Sequence, residues 1–558
     1  MAPTRDAFRT PAGLLAVAVA AVTVLVVLSR MRYGLDFSDE AFYLALPVRF
    51  ALGDRPFVDE LNVAQTAGLL IYPFVRVYMA VAGTTGLFLF VRVLYVVFFG
   101  FVGWSAFALA RTRLSAPASL LVGTACICFL PYGLPGLSYN TLSTGLLAVG
   151  LFVAARRMLV VPERGSVLRS SMFWAGFAHA GACFAYASLV LAVLATAGAI
   201  LLLARGERLR ATLLYAAGGI AFCVLVAPLF IAAGPAHLRE MMAYSGGTAA
   251  TAGFTLASLS AKSTVFLAQH PQLPFAAFVT ALSMTAARRY PLLTSLGLCL
   301  LPLLARGGAL VGVHGSLGYV TCLAMLGPIL TLGLRDRRAA RVLFFAVAMP
   351  SGVAGVVAGL SSGNGVTAVG VGLYPAAMLT PLVLALFIDD TLKSGGWPGL
   401  RPYLALSPAI ALWMLASYLQ ADDGIYRDGP RLELTAKVTE GPYRGIYTTP
   451  SKRDFLRQMT ADIATYGHGE RALFVYDLPV GYIIAKQRPL VASSWIFSLP
   501  SRIEPDARYF RTHVKSGDLV IVDRLQAGMP LDRAIVERSD LVATRAVGVW
   551  RYSAYVVR

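Results

Sequence analysis

Apolar residues in this chain gather into long blocks separated by short, arginine-bearing connections. A helix that crosses a bilayer needs about 20 mostly apolar residues, and such blocks recur from residue 11 to residue 419. The pattern predicts spans near 11–29, 87–110, 115–131, 140–156, 171–187, 188–204, 211–233, 273–287, 291–305, 317–334, 342–360, 369–388 and 403–419. That makes about thirteen transmembrane helices. Two further apolar stretches, 39–52 and 66–82, each carry an arginine (Arg49, Arg76) and are expected to lie along the membrane surface.

Past residue 420 the pattern changes. Short runs at Ala472–Tyr476 and Asp518–Val522 read as strands, and Lys452–Tyr466 has helical spacing. The expected fold is a polytopic α-helical membrane protein with exterior juxtamembrane helices and a small C-terminal α/β domain. Its membrane part is 1–419, with a first exterior loop at 30–86, and its exterior soluble part is 420–558.

Composition agrees with this reading. Hydrophobic residues are 57% of the 558 and charged residues only 14%, with a mean hydropathy of +0.68. These values exclude a soluble enzyme, a disordered chain and a disulfide scaffold. All six cysteines lie in apolar segments, as small buried hydrophobes do. The first apolar block is too long for a cleavable signal and no small-residue cleavage pattern follows it.

The net charge of +19 does not indicate a nucleic-acid partner, because it follows the membrane. With 39–52 and 66–82 left out as spans, nineteen basic residues fall in loops on the N-terminal side, among them Arg111, Arg156, Arg208, Arg335 and Arg338. Only a minority fall in the opposite loops, and counting 66–82 as a span would reverse the bias. The N-terminus is therefore expected in the cytoplasm, and an odd number of spans puts the C-terminal part outside.

Acidic residues are rare in the membrane part, yet six crowd into 36–60: Asp36, Asp39, Glu40, Asp54, Asp59 and Glu60. Carboxylates beside a membrane must be solvated, paired or used. One reading is a solvated loop neutralised by Arg30, Arg32, Arg49 and Arg55. The other is a catalytic base at the mouth of a membrane cavity, and the clustering favours it.

The stretch Phe37-Ser-Asp-Glu-Ala-Phe-Tyr43, followed by Gly53-Asp54-Arg-Pro56, resembles the first periplasmic loop of the GT-C superfamily of integral-membrane glycosyltransferases. The amphipathic Gln65–Ala82 and the arginine opening the next span, Arg92, fit the same layout, which is similar to that of bacterial aminoarabinose and protein O-mannosyl transferases. The resemblance implies a sugar donor carried on a polyprenyl phosphate and a glycan, lipid or protein acceptor whose hydroxyl attacks the anomeric carbon. By motif position it implies Asp39 as general base, with Glu40 supporting it or pairing with an arginine. Tyr43, at i+4 from Asp39, would position substrate.

Two departures stand out. Where aminoarabinose transferases carry a Lys-Pro that meets the lipid phosphate, this chain has Gln65-Thr66. Arg76, Arg92, Arg239 and Lys262 all remain open as the missing cation. Where relatives place an acidic residue in the second exterior loop, this chain has Tyr139-Asn140, which leaves use of a divalent cation open. The pair Asp59-Glu60 stands before the second surface helix, as its cap or as part of acceptor binding. The loop with Ser362 and Asn364 is read either as a phosphate- or sugar-approaching backbone or as a plain turn. The connection 234–272 is read either as a mobile element gating the cavity or as an ordinary link.

A transporter or flippase would predict repeat symmetry and charges near mid-bilayer, and a non-catalytic envelope assembly factor would leave the acidic cluster without a use. The expected location is the bacterial inner membrane. The sugar and the acceptor are not legible.

Overall fold

A computed structural model describes all residues except 1–7, 161–169, 205, 253–259, 262–263, 266–267, 269–271, 288, 307–312, 363–367, 395–402, 404–405, 412–413, 415–424, 426, 496–499 and 526–528. The N-terminal four hundred residues are helical: α1 (Pro11–Arg30), α2 (Asp39–Ala51), α3 (Gln65–Ala82), α4 (Leu87–Ala110), α5 (Ala116–Cys128), α6 (Tyr139–Leu159), α7 (Ser171–Ala185), α8 (Val190–Leu203) and α9 (Arg208–Ala252). They continue with α10 (Gln272–Ala286), α11 (Pro291–Arg306), α12 (Val313–Thr331) and α13 (Arg337–Leu343). A π-helical segment, Phe344–Ala348, runs on into α14 (Met349–Ser361), and α15 is Gly370–Ser394.

Among the described residues six helical stretches are long and apolar enough to cross a membrane, and shorter apolar helices accompany them. This is a multi-pass membrane protein. The expected segments from 11–29 to 369–388 each coincide with a helix, whereas 403–419 lies mostly outside the described residues. Peripheral helices keep apolar side chains outward, as Leu25, Val97, Trp104, Leu202 and Ile231 do, because the bilayer is their solvent. The central α15 is 89% buried over its apolar window.

Without a hydrophobic force between helices in lipid, close packing depends on small residues. At the crossing of α4 and α5, a Cβ on Gly103 would stand 2.5 Å from the Gly123 carbonyl, and one on Gly123 would stand 2.7 Å from the Gly103 carbonyl.

The C-terminal part carries α16 (Pro450–Tyr466), α17 (Val480–Ala485), α18 (Pro500–His513) and α19 (Pro530–Arg538). A small antiparallel pair joins β1 (Ala436–Lys437) to β2 (Tyr447–Thr448). The larger sheet has the order β4-β3-β5-β7-β6, built from β3 (Arg471–Val475), β4 (Arg488–Pro489), β5 (Leu519–Val522), β6 (Ser539–Val547) and β7 (Trp550–Val557). β3 is parallel to both β4 and β5, while β7 runs antiparallel to β5 and β6. β3 and β5 are nearly continuous apolar runs because both faces are covered.

Two expectations need correction. The stretch 39–52 does not lie on the membrane surface: every residue of α2 from Asp39 to Phe50 is buried. Trp495 covers Phe42 at a ring distance of 4.8 Å, so α2 sits between the helical bundle and the C-terminal part. By contrast α3 does present Phe74, Val77 and Val81 outward. The connection 234–272 is no loose link over its described start, 234–252. Gly234, at φ 76, kinks the helix, which then continues to Ala252. Tyr244 donates to Asp506 (3.0 Å) and Ser245 donates to the Leu61 carbonyl (3.1 Å).

Candidate functional site

The first turn of α2 sets the geometry. Asp36 lies ahead of the helix, and its carboxylate accepts from the Ser38 and Glu40 N–H groups (3.0 and 2.8 Å) and the Ser38 hydroxyl (2.9 Å). It satisfies helix N–H groups that have no partner within the helix. This fixes Asp39 as the first helical residue, where the helix dipole favours negative charge.

Glu40 turns inward. Its two oxygens take Nε and Nη2 of Arg92 at 2.7 and 2.6 Å. Arg92 spends its other donors on the carbonyls of Met31, Tyr33 and Gly34 (2.9, 3.2 and 2.8 Å). The guanidinium is saturated and sealed, 1% exposed, so the geometry offers no donor for a lipid phosphate.

Glu60 is equally enclosed. It accepts from Arg49 Nη1, from the Ser494 N–H (2.9 Å) and hydroxyl (2.8 Å), and from the Asn62 N–H (2.9 Å). Arg49 also holds Asp54 (2.7 Å) and the Asp59 carbonyl (2.8 Å). This network ties the first loop to the C-terminal part. The capping expectation for Asp59-Glu60 is corrected accordingly: α3 has no side-chain cap, Asp59 pairs with Arg55 on the surface, and Glu60 is committed to Arg49. Gln65 also faces inward, its amide donating to the Glu60 carbonyl (2.7 Å) and its oxygen accepting from the Phe57 N–H (2.7 Å).

Asp39 differs from these. Its side chain retains 11% exposure, and its partner is Arg427, with Nη2 to Oδ2 at 2.9 Å. Arg427 is 41% exposed, also donates to the Ser38 hydroxyl, and reaches toward Asp477 at 3.8 Å. Beside the pair stands an aromatic wall. Tyr43 meets Tyr139 edge-on at 5.3 Å and Trp495 at 6.5 Å, and Tyr139 meets Tyr186 at 5.7 Å. The Tyr139 phenol hydrogen-bonds Tyr43 and Asn140 and lies within electrostatic reach of Asp39. Ser362 hydrogen-bonds Tyr186 at the far end of the wall.

The fold thus brings together Asp39, Tyr43, Tyr139, Asn140 and Ser362 from α2, α6 and the end of α14. It places Glu40, Arg92, Glu60 and Gln65 in buried frameworks beside them. Arg76 is exposed on α3, stacked on Tyr72 with a 2.9 Å hydrogen bond to its hydroxyl, and Asp59 sits at the surface. Asn364 and Lys262 lie outside the described residues. Described surface hollows of about 620 and 770 Å³, at Glu207–Ala217 and between Tyr78, Phe90 and Arg444, are both away from Asp39.

Sequence reading missed Arg427, Trp495, Tyr186 and Lys452. Arg427 carries only a turn signal, Arg427-Asp-Gly-Pro430, and 389 positions separate it from Ser38. Lys452, 1% exposed, donates to the Leu35 carbonyl and to the Arg427 carbonyl (2.6 Å). Burial lowers its pKa while Asp428 pulls the other way.

Among the described residues no group of three His, Cys, Asp or Glu side chains converges to hold a metal ion. Around Asp39 the nearest acids are already taken by arginines or backbone N–H groups.

No protein-family model and no curated protein matches the chain. Solved structures do. The fold resembles that of the archaeal oligosaccharyltransferase AglB from Archaeoglobus fulgidus, determined with an inhibitory peptide and a dolichol-phosphate (TM-score 0.48, 11% identity, 91% of this chain and 69% of that one). It also resembles ArnT from Cupriavidus metallidurans. That protein aligns with a TM-score of 0.43 in the apo state and 0.42 bound to undecaprenyl phosphate, at 14% identity over 97% of both chains. At such identity the likeness extends to the fold alone.

Proposed function

We propose that this protein is a glycosyltransferase of the bacterial inner membrane that moves a sugar from a polyprenyl-phosphate donor to an acceptor hydroxyl at the exterior face. One observation carries the reading: beside an aromatic wall Asp39, 11% exposed, is paired with the half-exposed Arg427, while Asp36, Glu40 and Glu60 are consumed by the framework. Aromatic faces suit the apolar side of a sugar ring or a prenyl chain. A carboxylate at a helix N-terminus stays ionised and can accept a proton.

In the reaction the acceptor O–H gives its proton to Asp39 as its oxygen forms a bond to the anomeric carbon. The bond from that carbon to the phosphate oxygen breaks, and the lipid phosphate leaves with the electron pair. Attack opposite the leaving group inverts the anomeric centre. Tyr43, Tyr139 and Asn140 orient the sugar and acceptor, and Glu40 with Arg92 holds the turn that aims Asp39. A hydroxyl of a glycan, a lipid or a protein meets this chemistry.

The test is envelope glycan and lipid mass spectrometry on a deletion strain complemented with wild type or Asp39→Asn. Wild type restores a sugar-sized mass that Asp39→Asn leaves absent, with transfer down by roughly 10²–10⁴-fold and normal membrane insertion. Full transfer by Asp39→Asn would remove the assigned base. In the same cells, Glu440→Cys should react with an impermeant thiol reagent added outside; labelling only after lysis reverses the orientation.

A further inference from the structure

The Asp39–Arg427 pair is built unlike the other ion pairs of this region. The backbone of Arg427 is pinned while 41% of its side chain stays exposed. Arg427 occupies left-handed space at φ 52, a conformation that non-glycine residues adopt only when their surroundings hold them. Lys452 holds its carbonyl. The next residue, Asp428, accepts from the Leu35 N–H (2.8 Å) and the Thr448 hydroxyl (2.6 Å), which anchors the turn to both the first loop and β2. From that fixed point the guanidinium reaches Ser38, Asp39 and, at 3.8 Å, Asp477, with 41% of the side chain exposed. Arg92, by contrast, has its donors filled by Glu40 and three backbone carbonyls.

This arrangement has a consequence for a base. A guanidinium 2.9 Å from a carboxylate stabilises its charge and weakens its pull on a proton. Asp39 paired in this way is a restrained base. An incoming phosphate group is a better planar, bidentate partner for arginine than one carboxylate oxygen, and the exposed fork can turn toward it without moving the anchored backbone.

We infer that Arg427 is a positioning residue that couples donor occupancy to base strength. It restrains Asp39 in the empty site and transfers to the phosphate of a lipid-linked donor, releasing Asp39 to accept the acceptor's proton only when the sugar is in place. The inference rests on the donor class proposed above. It assigns to the C-terminal part a cation that the Gln65-Thr66 position lacks.

The test measures binding of undecaprenyl phosphate to the full chain in lipid nanodiscs, with unfolding midpoints recorded for each variant. Arg427→Gln weakens binding by about tenfold or more, the scale of one charge-assisted contact, and Arg427→Lys recovers part of it. Asp39→Asn, by removing the competitor for the guanidinium, tightens binding by about threefold or more. That gain vanishes in Asp39→Asn/Arg427→Gln. A merely structural Arg427 would not produce opposite signs at the two positions or their loss in the double variant. Unchanged affinity in Arg427→Gln, or tightening that persists without Arg427, overturns the inference while leaving the donor class intact. Wild type that binds no undecaprenyl phosphate sinks the donor class itself.

Discussion

Asp39 and Glu40 are neighbours on one helical turn, yet the chain treats them in opposite ways. Glu40 is closed off with Arg92, oxygen to nitrogen at 2.7 and 2.6 Å, and neither side chain is more than 5% exposed. Asp39 looks outward to an arginine that is 41% exposed. The difference shows how a buried acidic cluster can combine scaffold and chemistry. Charges sealed together with their partners hold the geometry, and a charge whose partner is half exposed is open to exchange. Acid content alone, which first drew attention to 36–60, does not separate the two.

Stability should divide along the same line. Arg92→Met leaves the Glu40 carboxylate buried without its cation and is expected to cost about 3–5 kcal/mol. Arg427→Met removes a half-exposed pair and is expected to cost under about 1 kcal/mol. Denaturation of the purified protein in detergent measures both, and equal losses would erase the distinction between scaffold and site.

A smaller contrast repeats the pattern about twenty residues on, at Asp59 and Glu60. Glu60→Ala strips Arg49 of a buried partner that also holds Ser494, and should cost about 2–3 kcal/mol. Asp59→Ala at the exposed Arg55 pair should leave the unfolding midpoint where it is. Similar shifts from the two would mean that Glu60 does not clamp the loop to the C-terminal part.

The smallest effect tests a partly buried carboxylate beside the C-terminal sheet that Arg524 compensates only in part. Asp523 follows β5, its Oδ1 has no hydrogen-bond partner, and burial with Asp477 nearby pushes its pKa up to about 6. A raised carboxylate favours the folded state when protonated. The ionised group therefore costs stability above pH 6, and the cost fades as pH falls from about 6 toward the ordinary value of about 4. Asp523→Asn should raise the unfolding midpoint by roughly 2 °C at pH 7.5 and by almost nothing at pH 4.5. An equal gain at both would show that the cost is not ionisation.

Much of the helical layout was legible in the chain. Segments such as 87–110 and 140–156 stand out because a bilayer leaves the backbone few alternatives to a helix and forces apolar side chains onto it. The runs that became β3 and β5 were visible for a similar reason, since a strand covered on both faces reads as continuous apolar sequence. The position of α2 was not. Its arginine suggested a surface helix, but Arg49 is neutralised by Asp54 and Glu60, contacts that hydropathy does not register.

By itself, then, the sequence determined which segments form apolar helices, where acids concentrate and which short motif to inspect. Those properties are local, set by the transfer of side chains between water and lipid. The tertiary structure alone decided which carboxylate is sealed and which is left reachable. That outcome depends on Arg92, Arg427 and Lys452 arriving from distant parts of the chain, and the strength of an ion pair is set by the burial and geometry of both partners together.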